Sequence, residues 1–164
     1  MDNLNHIFYK DYTIEKRGII NKDITIYSAI RNVLSGFTSG FTRDIYLTLD
    51  NGDIIGSFGI NGEGINNQFD SGITNDMNIF IEDEFKSKGY SKIMMKHMID
   101  KILEDIPDIN RDQMLFIDTD ASNGFWDKVG LIESRYAYRI PKYTIEGSGY
   151  EKYITINNLY NYTV

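Results

Sequence analysis

The stretch "IFIEDEFKSKGYSKIMMKHMIDKILED", Ile79 to Asp105, decides how the chain is read. It opens on a short apolar run and passes through an acidic connection into a loop with a single glycine, Gly89. An amphipathic repeat follows. Met94-Met95, Met98-Ile99 and Ile102-Leu103 are apolar doublets spaced by four, and Lys96-His97, Asp100-Lys101 and Glu104-Asp105 are the polar doublets between them. That is one buried and one solvated face at the helical period, so a strand, a glycine loop and a helix are expected in that order. Pro107 ends the helix. Lys86, Lys88, Lys92 and Lys96 cluster at the loop and the helix start, in a chain whose formal net charge is -7. A helix start leaves backbone N–H groups unpaired and carries partial positive charge, and a glycine lets a ligand approach the backbone. The loop therefore reads as a site for a phosphate-bearing ligand. Neither G-x-x-x-x-G-K-[ST] nor G-x-G-x-x-G occurs, which sets aside P-loop and dinucleotide readings.

Working outward, the pattern alternates between α and β. "HIFYKDYTI" (6–14) reads as a strand. "DITIYSAIRNVLSG" (23–36) reads as a helix, with Asp23 as cap, Ile26, Ile30, Val33 and Leu34 on one face, and Gly36 at the end. "SGFTSGFT" (35–42) reads as an adaptable loop. "DIYLTLDNGDIIGSFGI" (44–60) is a hairpin, with Asn51-Gly52 suited to a type I′ turn. A polar loop follows at 61–72, and "MNIFI" (77–81) and "MLFID" (114–118) are apolar strands. "SNGFWDKVG" (122–130) reads as a short helix closed by Gly130, and "ESRYAYRI" (133–140) and "EKYITINNLY" (151–160) as two final strands. The expected order is strand, helix, three strands, helix, strand, helix, two strands. It forms a single α/β (α+β) domain over residues 1–164.

Composition narrows the function. The chain has 164 residues and no cysteine, which excludes disulfides, thiolate metal sites and a cysteine nucleophile. Net acidity argues against nucleic-acid binding, which needs a basic stripe. No apolar run reaches the ~18 residues that span a bilayer, and the start lacks a signal-peptide pattern, so a cytoplasmic protein is expected, with no membrane partner. Asp118-Thr119-Asp120 has the form of a D-x-D metal motif without any further support, and His6 and His97 form no visible site; no metal is expected.

The segment Ile79–Ile102 resembles the acetyl-coenzyme A motif of the GNAT superfamily of N-acetyltransferases: a strand, then [QR]-x-x-G-x-[GA], then an amphipathic helix. Lys86 falls at the [QR] position, Gly89 at the glycine and Ser91 at the [GA] position. "LFIDTDASNGFWDKVGLIES" (115–134) is similar to the family's next strand and helix, with a shorter connection between Asn123 and Phe125. The resemblance implies a mixed, mostly antiparallel sheet of about seven strands flanked by helices. It implies acetyl-coenzyme A as cosubstrate and transfer of its acetyl group to a primary amine by direct attack. The backbone of Ile79, Phe80 and Ile81 would bond the pantetheine arm, and Lys86, Ser87, Lys88, Gly89, Tyr90 and Ser91 would hold the pyrophosphate, with Asn123 and Trp126 at the rest of the cofactor. Asp118 aligns with a family base, and Glu82 and Asp83 are its rivals. The family's usual tyrosine acid is replaced by Trp126, which leaves Tyr136, Tyr138 or unassisted thiolate departure; Trp126 then packs on the pantetheine arm or in the core. The expected acceptor is a small-molecule amine such as a polyamine or amino sugar, the protein being a monomer or homodimer. A protein-amine acceptor and a non-catalytic acyl-coenzyme A binding module are the alternatives.

Overall fold

The computed structural model describes residues 12–35, 38–63, 75–117, 124–133 and 151–164. These residues show a mixed α+β fold, in which eight described strands form one sheet and three described helices accompany it. In chain order these are β1 (Thr13–Ile20), β2 (Ile24–Ser35), β3 (Thr38–Leu49), β4 (Ile54–Glu63), β5 (Asp76–Ile81), a 3₁₀ turn (Asp83–Phe85), α1 (Tyr90–Asp105), β6 (Met114–Ile117), α2 (Phe125–Val129), β7 (Ile132–Glu133), β8 (Lys152–Thr155) and α3 (Ile156–Thr163). The sheet order is β1-β2-β3-β4-β5-β6-β8-β7, antiparallel except where β5 meets β6. No helix among the described residues is long and apolar enough to cross a membrane.

Residues 23–36 do not form the expected helix. They are β2, paired along seven positions with β1 and along its whole length with β3. The alternation Ile24, Ile26, Ser28, Ile30 is buried on one face, while Thr25, Tyr27 and Arg31 lie on the other. β-Branched and aromatic residues at period two suit a pleated surface, and the neighbouring strands settle a segment whose apolar spacing also fits a helix. Asp23 consequently sits in a turn, where Asn21 (φ 52°) and Lys22 (φ 70°) take left-handed conformations that join β1 to β2. Of the stretch 35–42, the described residues Ser35 and 38–42 are also strand rather than loop: Leu34 pairs with Ser39 and Ser35 with Thr38.

The expected β3–β4 hairpin is present with a different turn. The Gly52 N–H donates to the Leu49 carbonyl (2.9 Å) and the Leu49 N–H to the Asp53 carbonyl (2.9 Å). Gly52 alone takes positive φ (90°), so this is a three-residue loop with a bulge, not a type I′ turn. At the other end, only Lys152–Thr155 continue as a strand. The Thr155 hydroxyl accepts from the Asn158 N–H (3.2 Å) and starts α3, which buries Ile156, Leu159 and Thr163. Residues 6–11 and 134–140, read as parts of strands, lie outside the described residues, as do 64–72 of the polar loop.

The core lies between α1 and one face of the sheet. Met94, Met95, Met98, Ile99 and Ile102 of α1 pack on Ile24, Ile26, Phe41, Ile45, Leu47, Phe58 and Ile60. At Gly56 a Cβ would crowd the neighbouring strand, at 3.3 Å from the Phe80 carbonyl oxygen, while meeting the Met94 methyl of α1 at an ordinary 3.6 Å. Charges clamp the far end of α1. Arg17 of β1 grips Glu104 with both terminal nitrogens (2.8 and 2.7 Å), Lys101 bonds Glu15 (2.9 Å), and the buried Arg43 of β3 bonds Asp105 (2.9 Å). β1 is an edge strand, with a register shift between Lys16 and Gly18.

The opposite face carries Tyr12, Tyr27, Ala29, Tyr46 and Ile54 as a second, smaller cluster. Asp44 lies beside it on the same face. Burial pushes its carboxyl up to about 6, with only the Tyr46 hydrogen bond acting the other way. In the unfolded chain an aspartate titrates near ~4. Between these values the folded state binds the extra proton, so this contribution to stability is fully present below the unfolded value and is lost as pH rises through about 6. Asp44→Asn is therefore expected to raise stability by on the order of 2–3 kcal/mol at pH 7.5 and to change it little at pH 4. Urea unfolding of both proteins at the two pH values measures this; equal midpoint shifts at both would contradict it.

Candidate active site cleft

The site begins with the way β5 and β6 meet. Among the described residues they pair in parallel at Asp76 and Phe116. Asn75 holds the junction: its carbonyl accepts from the Phe116 N–H (2.7 Å), and its buried carboxamide donates to the Met114 carbonyl (3.2 Å). Beyond that point β5 continues to Ile81 paired with β4, through Phe58↔Ile79, Ser57↔Phe80 and Gly56↔Ile81. Its other edge has no strand partner there among the described residues. Alternate peptides of a strand direct N–H and C=O groups to each side, so this edge offers hydrogen bonds to a ligand.

That edge forms one wall of a cleft of about 960 Å³. Ile79, Phe80 and Ile81 line it, followed by Glu82, Asp83 and Glu84, then Lys86, Ser87, Gly89, Tyr90 and Ser91, with Phe125 from α2 on the remaining side. Gly89 caps α1 with φ 80° and no side chain bonds the helix start. The first amides of α1 are thus left for a ligand or water. A Cβ at Gly89 would meet nothing within 4 Å, so it is the left-handed backbone, not crowding, that calls for glycine. Ser87 is also left-handed, with φ 63°, a conformation L residues hold at a cost. Tyr90 is buried, and its hydroxyl accepts from the Asn21 carboxamide (3.2 Å), tying the helix start to the β1–β2 turn.

The structure brings together ten of the expected site residues: Ile79, Phe80, Ile81, Glu82, Asp83, Lys86, Ser87, Gly89, Tyr90 and Ser91. The lysine cluster divides. Lys86 lines the cleft, bonded to Asp83 at 2.9 Å. Lys88 instead lies over the Phe85 ring (5.6 Å), Lys92 over the Tyr162 ring of α3 (5.3 Å), and Lys96 pairs with Asp100 (3.4 Å). Lys88 therefore does not join the cleft lining. The hydrogen bond from Lys86 holds the Asp83 carboxyl below its ordinary range, which makes it a poor base. Asp118 and Asn123 lie outside the described residues, as do Tyr136 and Tyr138.

Of the two places expected for Trp126, the pantetheine arm and the core, the structure shows it in the core and not in the cleft lining. It is 5% exposed and belongs to the core, and Phe125 stands at the cleft in its stead, their rings meeting edge to face at 5.0 Å. The reason is local. Gly124 and Gly130 bracket a helix of only five residues, which turns Trp126 and Val129 inward together. Phe125 was missed because adjacent aromatics in so short a helix carry no readable phase. No protein-family model, curated protein or solved structure matches this chain.

The two rings make separable predictions. Trp126→Ala removes a buried indole and should cost about 3–5 kcal/mol. Phe125→Ala, at a half-buried position, should cost about 1–2 kcal/mol. Denaturant midpoints of the two variants check the order; a larger loss at Phe125 would reverse the assignment.

Proposed function

We propose that the protein is an acetyl-coenzyme A dependent N-acetyltransferase acting on a primary amine of a small molecule. The observation that carries this reading is the convergence of two different binding surfaces on one cleft: the edge of β5 that has no strand partner among the described residues, and the uncapped start of α1. An extended amide-bearing chain ending in a pyrophosphate needs both. The strand edge at Ile79–Ile81 would pair with the pantetheine amides, as an added strand does. The amides of Ser87 to Ser91 would receive the pyrophosphate, aided by the helix dipole. Lys86 would exchange Asp83 for phosphate oxygens. The Phe125 ring would pack against the apolar part of the arm.

The chemistry is a direct transfer. The acceptor nitrogen bonds the thioester carbonyl carbon, the carbon–sulfur bond breaks, one proton leaves the amine and one reaches the departing thiolate. Holding the two reactants together supplies much of the acceleration. Asp118, next in the chain after β6, is the proposed base. Glu82 is the alternative on the cleft lip. Asp83 is less suited, since its charge is already satisfied by Lys86. Because Trp126 lies in the core, its replacing a tyrosine is no argument for a binding module without catalysis.

Calorimetry with coenzyme A and thiol release with an amine panel test the reading. The native chain should bind coenzyme A and release thiol with at least one amine. Ser91→Glu places a carboxylate where phosphate would sit, in the first turn of α1, where a negative charge favours the helix. It should keep or raise thermal stability while weakening coenzyme A binding at least tenfold. No binding by the native chain at millimolar ligand, or unchanged affinity in Ser91→Glu, would overturn the site. Separately, Asp118→Asn should lower turnover by ~10²–10⁴-fold with cofactor affinity retained. Near-normal turnover would move the role to Glu82 or water.

A further inference from the structure

On the sheet face turned away from α1, two rows of side chains run across the strands. One is Ala29, Asp44, Gly59, Asn78, and the next is Tyr27, Tyr46, Ser57, Phe80. Gly59 has no side chain, and its neighbours in the row fill the space above it. A Cβ there would collide with Asp44 Oδ1 and stand 3.0 and 3.2 Å from the two polar atoms of the Asn78 carboxamide. The carboxylate and the carboxamide therefore converge over one bare stretch of backbone.

We infer that this niche binds an organic ammonium ion, with Asp44 as counter-ion, the Asn78 carboxamide oxygen as second acceptor, and the Tyr46 and Phe80 rings as flanking surfaces. Three features lead there. Asp44 is a largely buried acid on which no basic group among the described residues acts, and the Tyr46 hydrogen bond favours its charge. Of the cations on that face, Arg31 lies over the Tyr12 ring (5.4 Å), and Lys16 of β1 stands opposite Tyr27, beyond β2 from Asp44. An uncompensated buried carboxylate costs stability, and a cation arriving with its own hydrogen-bond donors removes that cost. Second, the setting suits an alkylammonium better than a metal. A carboxylate and a carboxamide are too few ligands for Mg²⁺ or Ca²⁺, and no cluster of three or more metal-ligating side chains occurs among the described residues. Aromatic faces attract organic cations instead. Third, the niche is reached from outside: Asn78 is exposed and Phe80 is 54% exposed.

Phe80 also lines the cleft on β5, so the two places are neighbours. Two strand spacings and two residues of rise put it about 12 Å from Asp44 along the sheet. A ligand with two amines that distance apart would touch both. The niche itself does not rest on the acyl-transfer reading, and its test needs no coenzyme A.

The experiment is calorimetric titration of the full chain with spermidine, and with 1,4-diaminobutane as a shorter probe, at pH 7.5 in 150 mM salt. Saturable one-to-one binding of spermidine is expected. Asp44→Asn should weaken it at least tenfold and Asn78→Ala several-fold, while Asp108→Asn, an exposed acid elsewhere, should leave it unchanged. Asn78→Ala removes an exposed side chain from a folded strand and serves if Asp44→Asn is poorly behaved. Absence of saturable binding overturns the inference. So does equal loss in Asp108→Asn, which would mean that general acidity attracts the polyamine. Coenzyme A titrations of the same variants should match the native chain, so that failure of one site is not mistaken for failure of the other.

Discussion

The cleft opens beside the parallel junction of β5 and β6, which among the described residues meet at Asp76 and Phe116. Asn75 supplies the constraint. Its carbonyl and its carboxamide both engage β6, at Phe116 and Met114, and fix where β5 and β6 touch. A parallel pair needs a crossover, here α1, which lies across the core face of the sheet. Beyond Asp76, the edge of β5 at Ile79 to Ile81 has no strand partner among the described residues, and it lines the cleft together with the start of α1 and Phe125.

The helix completing the cleft is held asymmetrically. Its C-terminal end, where a carboxylate opposes the helix dipole, still carries Glu104 and Asp105, and both are matched by cations from the sheet: Arg17 on Glu104 and the buried Arg43 on Asp105. Its N-terminal end is fastened by one buried side chain, Tyr90, and otherwise left uncapped. Stability is thus concentrated away from the cleft, and unsatisfied donors are concentrated in it.

Much of this was written legibly in the chain. The apolar doublets of α1, the runs of β5 and β6 and the glycine closing α2 each obey one period and one boundary signal. Gly89 was readable as a loop glycine for the same reason. β2 was not, because Ile26, Ile30 and Val33 fit a helical face while Ile24, Ile26 and Ile30 also fit a strand. Only the partners on either side, β1 and β3, distinguish the two, and they are remote in sequence. The division of the lysines was likewise hidden. Lys92 is drawn to Tyr162 of α3, a helix that itself read as strand because "KYIT" runs directly into its Thr155 cap. Asp44 gave no signal at all: its environment depends on Gly59 and Asn78 from two other strands.

The register shift in β1 has its own consequence. β1 is the outermost strand and exposes Ile14 and Ile19, at 37% and 57%. A straight strand of that composition would be a template on which a second molecule could add itself, and then a third. The bulge between Lys16 and Gly18 breaks the even spacing of the free backbone groups and adds local twist, and Lys16 and Arg17 put charge at the break. An incoming strand would find register on one side of the bulge only, so the bulge itself works against fibrillar growth at this edge.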